Sequence, residues 1–245
     1  MLSDIYYEQV LSHIKELQET QGDALKDAAK LIGQAFIDRK RTFAFGSGHA
    51  SLPVQEIFCR AGGLCLYNPI FIPDLHPCQY PYTRAFHMER ISGVAEAAME
   101  AAPVSEGDVI IVVSTAGRNH APIEMAMEAK KRGMQVIALT SVAFSKGVPS
   151  RHPSGKRLFD IADVVLDNLA PLGDACVEVP GIPAKAAPLS GILCNVVLHS
   201  LECAICDYLV DAGVKPPVFM SGNRDDTDEY NYGVVGENED VITFL

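Results

Sequence analysis

This chain lacks three features that mark membrane and secreted proteins. No apolar run reaches the roughly 20 residues that a membrane-spanning helix needs, and the first residues lack the basic-then-apolar pattern of a signal peptide. The seven cysteines do not follow the spacing of a small domain held together by disulfides. We therefore expect a cytoplasmic protein with reduced thiols and no membrane partner.

The chain is also poor in positive charge, with 20 Lys and Arg residues against 31 Asp and Glu and a formal net charge of −11. Nucleic acids and anionic membranes bind basic surfaces, so the composition argues against both as partners. A phosphate ligand has to be held by local donors, because the overall field of the protein repels it. The hydrophobic fraction of 48% is enough for a sizeable core.

The sequence does contain a regular alternation of strand-like and helix-like segments. Apolar residues recur at three- and four-residue spacing over residues 4–38, which predicts N-terminal helices. Continuously apolar runs after them are typical of parallel strands covered on both faces. These runs predict strands at 42–46, 64–67, 108–113, 135–140 and 162–166, helices at 50–61, 84–102 and 120–132, and a long final helix at 188–210. The prediction is an α/β fold, a doubly wound three-layer αβα sandwich with a five-stranded parallel sheet.

The domain organisation follows from the same pattern. We expect a single domain over residues 1–221, with its core at 35–210, and an acidic C-terminal tail at 222–245. The tail is rich in Asn, Gly and Tyr, so it is either disordered or laid over a neighbouring surface. Residues 68–83 are rich in Pro, Tyr and His, which predicts an irregular loop.

Two glycine-containing loops each follow a predicted strand and precede a predicted helix. Residues 45–51 read Phe-Gly-Ser-Gly-His-Ala-Ser, and residues 113–120 read Val-Ser-Thr-Ala-Gly-Arg-Asn-His. Glycine lets a ligand approach the backbone, N–H groups at a helix start point outward, and hydroxyl side chains add donors. Either loop alone could be an ordinary turn, but both lie at the carboxyl edge of one sheet, where ligands bind. Together they predict a site for a ligand with a phosphate and a polar body.

The second loop and the elements after it carry a family resemblance. The loop runs on into Glu124, Ala129-Lys130, Gly133 and the strand Val136-Ile137-Ala138-Leu139-Thr140-Ser141. With Gly46-Ser47-Gly48, these residues resemble the SIS (sugar isomerase) domain family over roughly residues 35–210, and in particular the single-domain group often labelled phosphoheptose isomerase. The resemblance implies a sugar-phosphate ligand with its phosphate on the second loop. It also implies a homodimer or homotetramer with sites near the subunit interface.

The two loops supply the candidate ligand-binding residues. They are Ser47, Gly48 and Ser51 in the first loop, and Ser114, Thr115, Gly117, Arg118 and Asn119 in the second. Relatives carry hydroxyl residues at two positions of the second loop where this chain has Ala116 and Asn119. The amide of Asn119 can still donate a hydrogen bond, whereas Ala116 offers only its backbone.

The catalytic residues of the family are not retained in place. Relatives carry a catalytic Glu at the position of Arg60, and the heptose isomerases carry a catalytic His at the position of Cys194. Because an aldose–ketose isomerisation needs a base next to the carbonyl, we look for replacements. The candidates are Glu56, one helical turn before Arg60; His49, inside the first loop; and His199, on the final helix.

Each candidate also has a purely structural alternative. Glu56 could form an ion pair with Arg60 on a solvated helix face, and His49 could be a surface residue at a helix start. His199 belongs to a polar stripe that could be a solvated face; the stripe comprises Asn195, His199, Glu202 and Cys206. Asp174, after the fifth strand, could bind sugar hydroxyls or form a turn.

The sequence therefore leaves three functions open. The first is a sugar-phosphate isomerase or related enzyme, and the second is a non-catalytic sugar-phosphate sensor, favoured by the missing Glu and His. The third is an etherase or deaminase that acts on an amino-sugar phosphate. We expect no cofactor and no metal, because Cys203-x-x-Cys206 lies within a helix without a second cysteine pair and indicates two small core residues.

Overall fold

A five-stranded parallel sheet forms the centre of the computed structural model, which describes residues 1–81 and 83–244. The strands are β1 (Thr42–Gly46), β2 (Tyr67–Pro69), β3 (Val109–Val113), β4 (Gln135–Thr140) and β5 (Val164–Asp167). Their order in the sheet is β2-β1-β3-β4-β5, and all neighbouring pairs are parallel. The predicted five-stranded parallel sheet is confirmed.

Helices cover both faces of the sheet. In the described residues they are α1 (Leu2–Thr20), α2 (Gly22–Ile37), α3 (Ser51–Glu56), α4 (Arg84–Met88), α5 (Val94–Ala101), α6 (His120–Lys131), α7 (Val142–Lys146), α8 (Ser190–Asp211) and α9 (Asp228–Gly236). Alternate strand residues enter two separate cores. Ile111 and Leu139 pack on the side of α1, α2 and α8, and Ile110 and Val136 pack on the side of α5 and α6. The predicted three-layer sandwich, with N-terminal helices and a long helix near the C-terminus, is confirmed.

Helix α8 is long and apolar enough, by length and composition alone, to cross a membrane. In the fold, 44% of its most apolar stretch is buried, and Leu193, Leu201 and Ile205 lie in the core beside α2. The core helix of a water-soluble protein passes the same test. This property by itself therefore does not indicate a membrane span.

The helix predicted at 84–102 is broken into α4 and α5. Gly93 adopts a φ of +88°, which ends helical geometry between them. The Glu124 carboxylate stabilises the break, because it accepts hydrogen bonds from Ser92 Oγ at 2.6 Å and Gly93 N at 2.8 Å. A contact from α6 thus overrides the local helical pattern.

Other boundaries also differ from the prediction. The strand predicted at 64–67 begins only at Tyr67, because Leu64 pairs with Val218 in an isolated antiparallel bridge. The helix predicted at 50–61 ends at Glu56, before Cys59 takes a φ of +45°. A hairpin was not predicted at all; its strands are β6 (Ala175–Glu178) and β7 (Lys185–Pro188).

The acidic tail packs against the domain as far as the structure describes it. Val241 and Ile242 are buried in the core on the α8 side. Asn68 of β2 binds this segment at both ends of its amide: Nδ2 donates to Val241 O at 2.9 Å, and Oδ1 accepts from Thr243 N at 2.6 Å. Leu245, the last residue of the tail, and Tyr82, in the loop predicted at 68–83, lie outside the described residues.

Candidate functional site

The two loops leave the sheet side by side. Strands β1 and β3 are paired in register, with Gly46 opposite Val113, so the residues that follow them start from neighbouring points at the carboxyl edge. A Cβ on Gly46 would lie 2.1 Å from Ala50 O, which is closer than any side chain allows. Gly46 therefore permits the tight turn by which the first loop enters α3.

The first loop uses its two serines differently. Ser51 is buried, and its Oγ donates to Gly48 O at 2.8 Å, so this hydroxyl closes the loop. Ser47 Oγ donates instead to the Glu89 carboxylate at 3.2 Å, toward the second loop. His49 is exposed and lies on the wall of a cavity. Of the residues predicted here, Ser51 and Ser47 are buried with their hydroxyls hydrogen-bonded, whereas His49 is exposed.

The second loop contains a glycine in the left-handed conformation. Gly117 has a φ of +56°, and its N–H donates to Ser114 Oγ at 3.2 Å. Residues at the end of β4 hold the backbone of Thr115, because its carbonyl accepts hydrogen bonds from Thr140 Oγ1 at 3.1 Å and from Ser141 N at 3.0 Å. Asn119 is the N-cap residue of α6. The loop therefore presents hydroxyls, backbone N–H groups and a helix start in one short segment.

A cavity of about 360 Å³ opens beside the two loops, a volume within the usual range for small-molecule sites. His49 and Thr115 line it from the loops, and Cys194 and Asn195 line it from α8. Asn195 Oδ1 is buried and has no hydrogen-bond partner among the described residues. The other predicted ligand-binding residues do not line this cavity; they are Ser47, Gly48, Ser51, Ser114, Gly117, Arg118 and Asn119.

Two of the predicted catalytic residues lie next to each other. Glu56 Oε1 is 3.9 Å from His199 Nε2, and it also forms an ion pair with Arg60. On the other side of the ring, His199 Nδ1 lies 2.6 Å from Glu202 Oε2. Pro53 and Asn195, which line the cavity, precede this pair by about one helical turn on α3 and α8 respectively. Glu56 and His199 themselves do not line the cavity; each lies about one helical turn beyond a residue that does.

Glu202 orients this histidine from the protein interior. Its side chain is 6% exposed, and Oε1 accepts from Leu64 N at 3.3 Å. A carboxylate only accepts hydrogen bonds, so His199 Nδ1 donates to Glu202, while Nε2 faces Glu56. A fully solvated stripe on α8 is therefore wrong, because Glu202 is buried.

Glu89 was not predicted from the sequence, yet it connects the two loops. It follows α4, and its carboxylate accepts hydrogen bonds from Ser47 and from the side chain of Asn119. Burial raises the pKa of the Glu89 carboxyl above its ordinary value, although these hydrogen bonds and the nearby Arg90 and Arg151 charges oppose the rise. The sequence carried no signal for it, since Glu89 fell inside the continuous helix predicted at 84–102.

Comparison with known proteins identifies the family. Residues 5–141, more than half of the chain, match the SIS domain family. This chain belongs to the SIS domain family. It is 39% identical over 240 residues to a UPF0309 protein of Shouchella clausii, and the match covers 98% of each chain.

Solved structures show the same fold at low sequence identity. The phosphoheptose isomerase of Neisseria gonorrhoeae has a TM-score of 0.56 and 19% identity, over 85% of this chain and 97% of that one. The NanR protein of Vibrio vulnificus, complexed with ManNAc-6P, has a TM-score of 0.54 and 14% identity, over 97% of this chain and 69% of that one. These likenesses concern the arrangement of helices and strands only.

Cys194 of this SIS domain is a buried neutral thiol. Burial raises its pKa to about 12, and Asn168 Nδ2 donates to its Sγ at 3.2 Å. At neutral pH the thiol keeps its proton and is unsuited to act as a base. Cys194 therefore does not replace a catalytic histidine chemically.

Asp174 lines the cavity but serves the start of α8. Its Oδ1 accepts from Ser190 N at 2.7 Å and from Leu189 N at 3.1 Å, and its Oδ2 accepts from Ser190 Oγ at 2.7 Å. The carboxylate thus satisfies donors at the helix N-terminus. Asp174 also lies in a turn, where its N–H donates to Pro171 O at 2.8 Å, and the binding of sugar hydroxyls by Asp174 stays a prediction.

The cysteine and metal chemistry of the site is limited. The described residues include no group of three or more His, Cys, Asp or Glu side chains arranged to hold a metal ion. Cys206 is half-buried and packs against the core, but Cys203 is exposed. The prediction of two core cysteines is therefore wrong for Cys203.

Proposed function

We propose that this SIS-domain protein binds a sugar phosphate at the carboxyl edge of β1 and β3 and interconverts its aldose and ketose forms. The observation that carries the proposal is the pair of loops that leave adjacent strand ends beside the cavity. The phosphate binds the second loop at Ser114, Thr115, Gly117 and Asn119. Ser47, Gly48 and His49 hold the sugar body. The shared fold of a phosphoheptose isomerase and of a protein complexed with ManNAc-6P supports this ligand class.

The second loop has the donors that a phosphate needs. Ser114 Oγ already accepts a hydrogen bond from Gly117 N, so its own proton is left to donate to a ligand. Asn119 opens a 12-residue helix, whose N-terminal N–H groups and dipole favour an anion. These local donors offset the repulsion expected from a protein of net charge −11.

Glu56 and His199 are the proposed proton-transfer groups. Isomerisation requires a base that removes a proton from the carbon next to the carbonyl and a group that moves a proton between the two oxygens. We assign the first step to Glu56 and the second to His199, whose Nε2 faces Glu56 while Glu202 holds Nδ1. His49, on the cavity wall, donates to or accepts from sugar hydroxyls.

The assignment is tested by separating binding from turnover. We expect Glu56→Gln and His199→Ala to reduce kcat by about 100-fold or more, the usual contribution of a positioned acid or base, with ligand affinity changed less than about threefold. Glu100→Gln, on the surface of α5, is the matched control and retains wild-type turnover. Wild-type kcat in both variants contradicts these two roles.

A non-catalytic sugar-phosphate sensor is the second candidate function. It is favoured by the ion pair between Arg60 and Glu56 and by the neutral thiol of Cys194, which stand where relatives carry catalytic groups. A sensor binds its ligand without converting it. Tight binding with no product in a coupled or NMR-detected isomerisation assay identifies this function and excludes the enzyme.

We further propose that the protein is cytoplasmic and forms a homodimer or homotetramer with sites near the subunit interface. All seven cysteines are free, in keeping with a reducing compartment. On α1, Tyr7 and Leu11 are each 67% exposed and lie one helical turn apart, which gives an apolar surface for a second copy of the chain. Sedimentation velocity distinguishes this assembly from a monomer.

A further inference from the structure

Among the described residues, three of the ten arginines form neither an ion pair with a carboxylate nor a side-chain hydrogen bond to a backbone carbonyl. Five form ion pairs with carboxylates: Arg39, Arg60, Arg84, Arg132 and Arg224. Arg41 and Arg157 donate side-chain hydrogen bonds to backbone carbonyls. Within residues 1–81 and 83–244, the remaining three form no ion pair with a carboxylate; they are Arg90, Arg118 and Arg151.

These three arginines meet at the first turn of α6. Arg151 Nη1 donates to Asn119 Oδ1 at 2.9 Å, and Arg151 N donates to Arg118 O at 2.9 Å. Arg90 directly follows Glu89, whose carbonyl accepts from Ala121 N at 3.1 Å. Three chain segments that are distant in sequence thus bring guanidinium groups to one end of one helix.

The arrangement is electrostatically unfavourable without an anion. Partial burial lowers the pKa of the Arg151 guanidinium, and the charges of Arg118 and Arg90 lower it further. Glu89 supplies one opposing negative charge, so the group keeps an excess of about two positive charges. Arg118 Nε is buried and has no partner among the described residues, which leaves a donor unused.

We propose that Arg90, Arg118 and Arg151 form a second anion-binding site, which takes a phosphate or carboxylate group other than the phosphate on the Ser114–Asn119 loop. Guanidinium forks match both groups, and the excess charge of the site matches that of a phosphate monoester. Arg118 belongs to that loop, whereas Arg90 and Arg151 reach its end from two other chain segments. Resting on the proposed function, this inference narrows the ligand to a sugar with two anionic groups, a bisphosphate or a phosphorylated sugar acid.

Inorganic phosphate tests the second site without knowledge of the sugar. Equilibrium dialysis with radiolabelled phosphate at low salt should show two phosphates per wild-type chain and one in Arg90→Ala/Arg151→Ala. Arg224→Ala, which removes an exposed arginine paired with Asp226, is the matched control and should still bind two. Ser114→Ala/Thr115→Val removes the loop hydroxyls and should also bind one. Competition by acetate and by methyl phosphate then shows whether the arginine site prefers a carboxylate or a phosphate.

The outcomes separate this inference from the proposed function. One wild-type phosphate that persists in the double arginine variant overturns the second site and leaves the loop site intact. If the wild type binds one phosphate and both double variants bind none, the arginines and the loop hold the same phosphate. This result also overturns the second site. No phosphate on the wild type overturns it outright. Two phosphates of which only the arginine variant loses one support the second site and contradict the loop site.

Discussion

At the scale of single residues, the least expected feature is the Glu89 carboxyl between the two loops. It accepts from Ser47 on one loop and Asn119 on the other, so it fixes their relative position. Burial raises its pKa, which means that folding favours the protonated form. Glu89 therefore makes the stability of this edge of the sheet depend on pH.

Replacement of Glu89 by Gln should reveal that dependence. A raised pKa in the folded state contributes stability at pH values below the ordinary pKa, and this stability is lost as the pH rises through the folded-state value. Glu89→Gln, which cannot ionise, should therefore gain thermal stability relative to the wild type as the pH is raised from about 4 to about 7. Thermal denaturation across this range measures the difference.

Glu128→Gln is a control of opposite sign. Burial of Glu128 opposes ionisation, but hydrogen bonds from Lys131 and Arg132 outweigh it and lower the pKa of the carboxyl. Its stabilisation is present above the ordinary pKa and is lost as the pH falls. This variant should lose most stability at neutral pH. Parallel pH profiles for the two variants would contradict the account of Glu89.

At the scale of secondary-structure elements, the site depends on how α8 and the first loop begin. Asp174 satisfies the donors at the start of α8, and α8 supplies Asn195 and His199 to the site region. Gly46 permits the close approach of Ala50 O that turns the chain into α3. Each element is therefore positioned by one residue at its end.

Asp174→Ala should destabilise the protein through α8. The change removes the acceptor of three hydrogen bonds. Leu189 N keeps the Asp174 carbonyl as a partner, but Ser190 N loses its acceptor, at a cost of about 1–3 kcal/mol. Asp207→Ala, on the exposed face of the same helix, should change stability by less than about 0.5 kcal/mol. Urea denaturation measures both, and equal effects would exclude the capping role.

Gly46→Ala should disturb the first loop. Its Cβ would meet Ala50 O at 2.1 Å, so the backbone has to move, which should lower the free energy of unfolding by about 1–3 kcal/mol and weaken ligand binding. Gly22→Ala is the control, because nothing lies within 4 Å of a Cβ at that helical position. Unchanged stability of Gly46→Ala, measured by urea denaturation, would refute the close approach.

The sequence predicted the elements well where local pattern dominates. The apolar runs of β3 and β4 fall within one residue of their predicted bounds, and α6 lies within the helix predicted at 120–132. The prediction failed where a contact from a distant part of the sequence determines where a helix ends. Glu124 breaks the predicted helix at Ser92 and Gly93, and the α4–α5 junction it creates is the place where Glu89 meets the loops.

At the scale of the whole molecule, the acidic C-terminal segment completes one core. Val234, Val241 and Ile242 are buried against the α8 side, and Arg39 of the α2–β1 connection pairs with Asp240. Composition alone could not choose between disorder and packing here, because these few apolar residues stand in a polar segment. Their partners, such as Asn68, lie far away in sequence.

Truncation after residue 221 should therefore destabilise the protein. Each of the three buried aliphatic side chains contributes about 1.5–3 kcal/mol. We therefore expect the free energy of unfolding to fall by at least about 4 kcal/mol. Val241→Ala in the full chain should cost a smaller part of this amount. Urea denaturation of the three proteins measures the effect, and a truncated chain as stable as the wild type would show that the tail contributes nothing to the core.

Stabilisation of the protein by added ligand shows whether the two loops bind a sugar phosphate. The melting temperature is measured with hexose, heptose and amino-sugar phosphates and with the same sugars unphosphorylated, for the wild type and for Ser114→Ala/Thr115→Val. We expect at least one phosphorylated sugar to raise the wild-type melting temperature. Its unphosphorylated form should not raise it, and the double variant should lose the response. If no sugar phosphate stabilises the wild type, or if the double variant responds equally, the two loops are not a sugar-phosphate site.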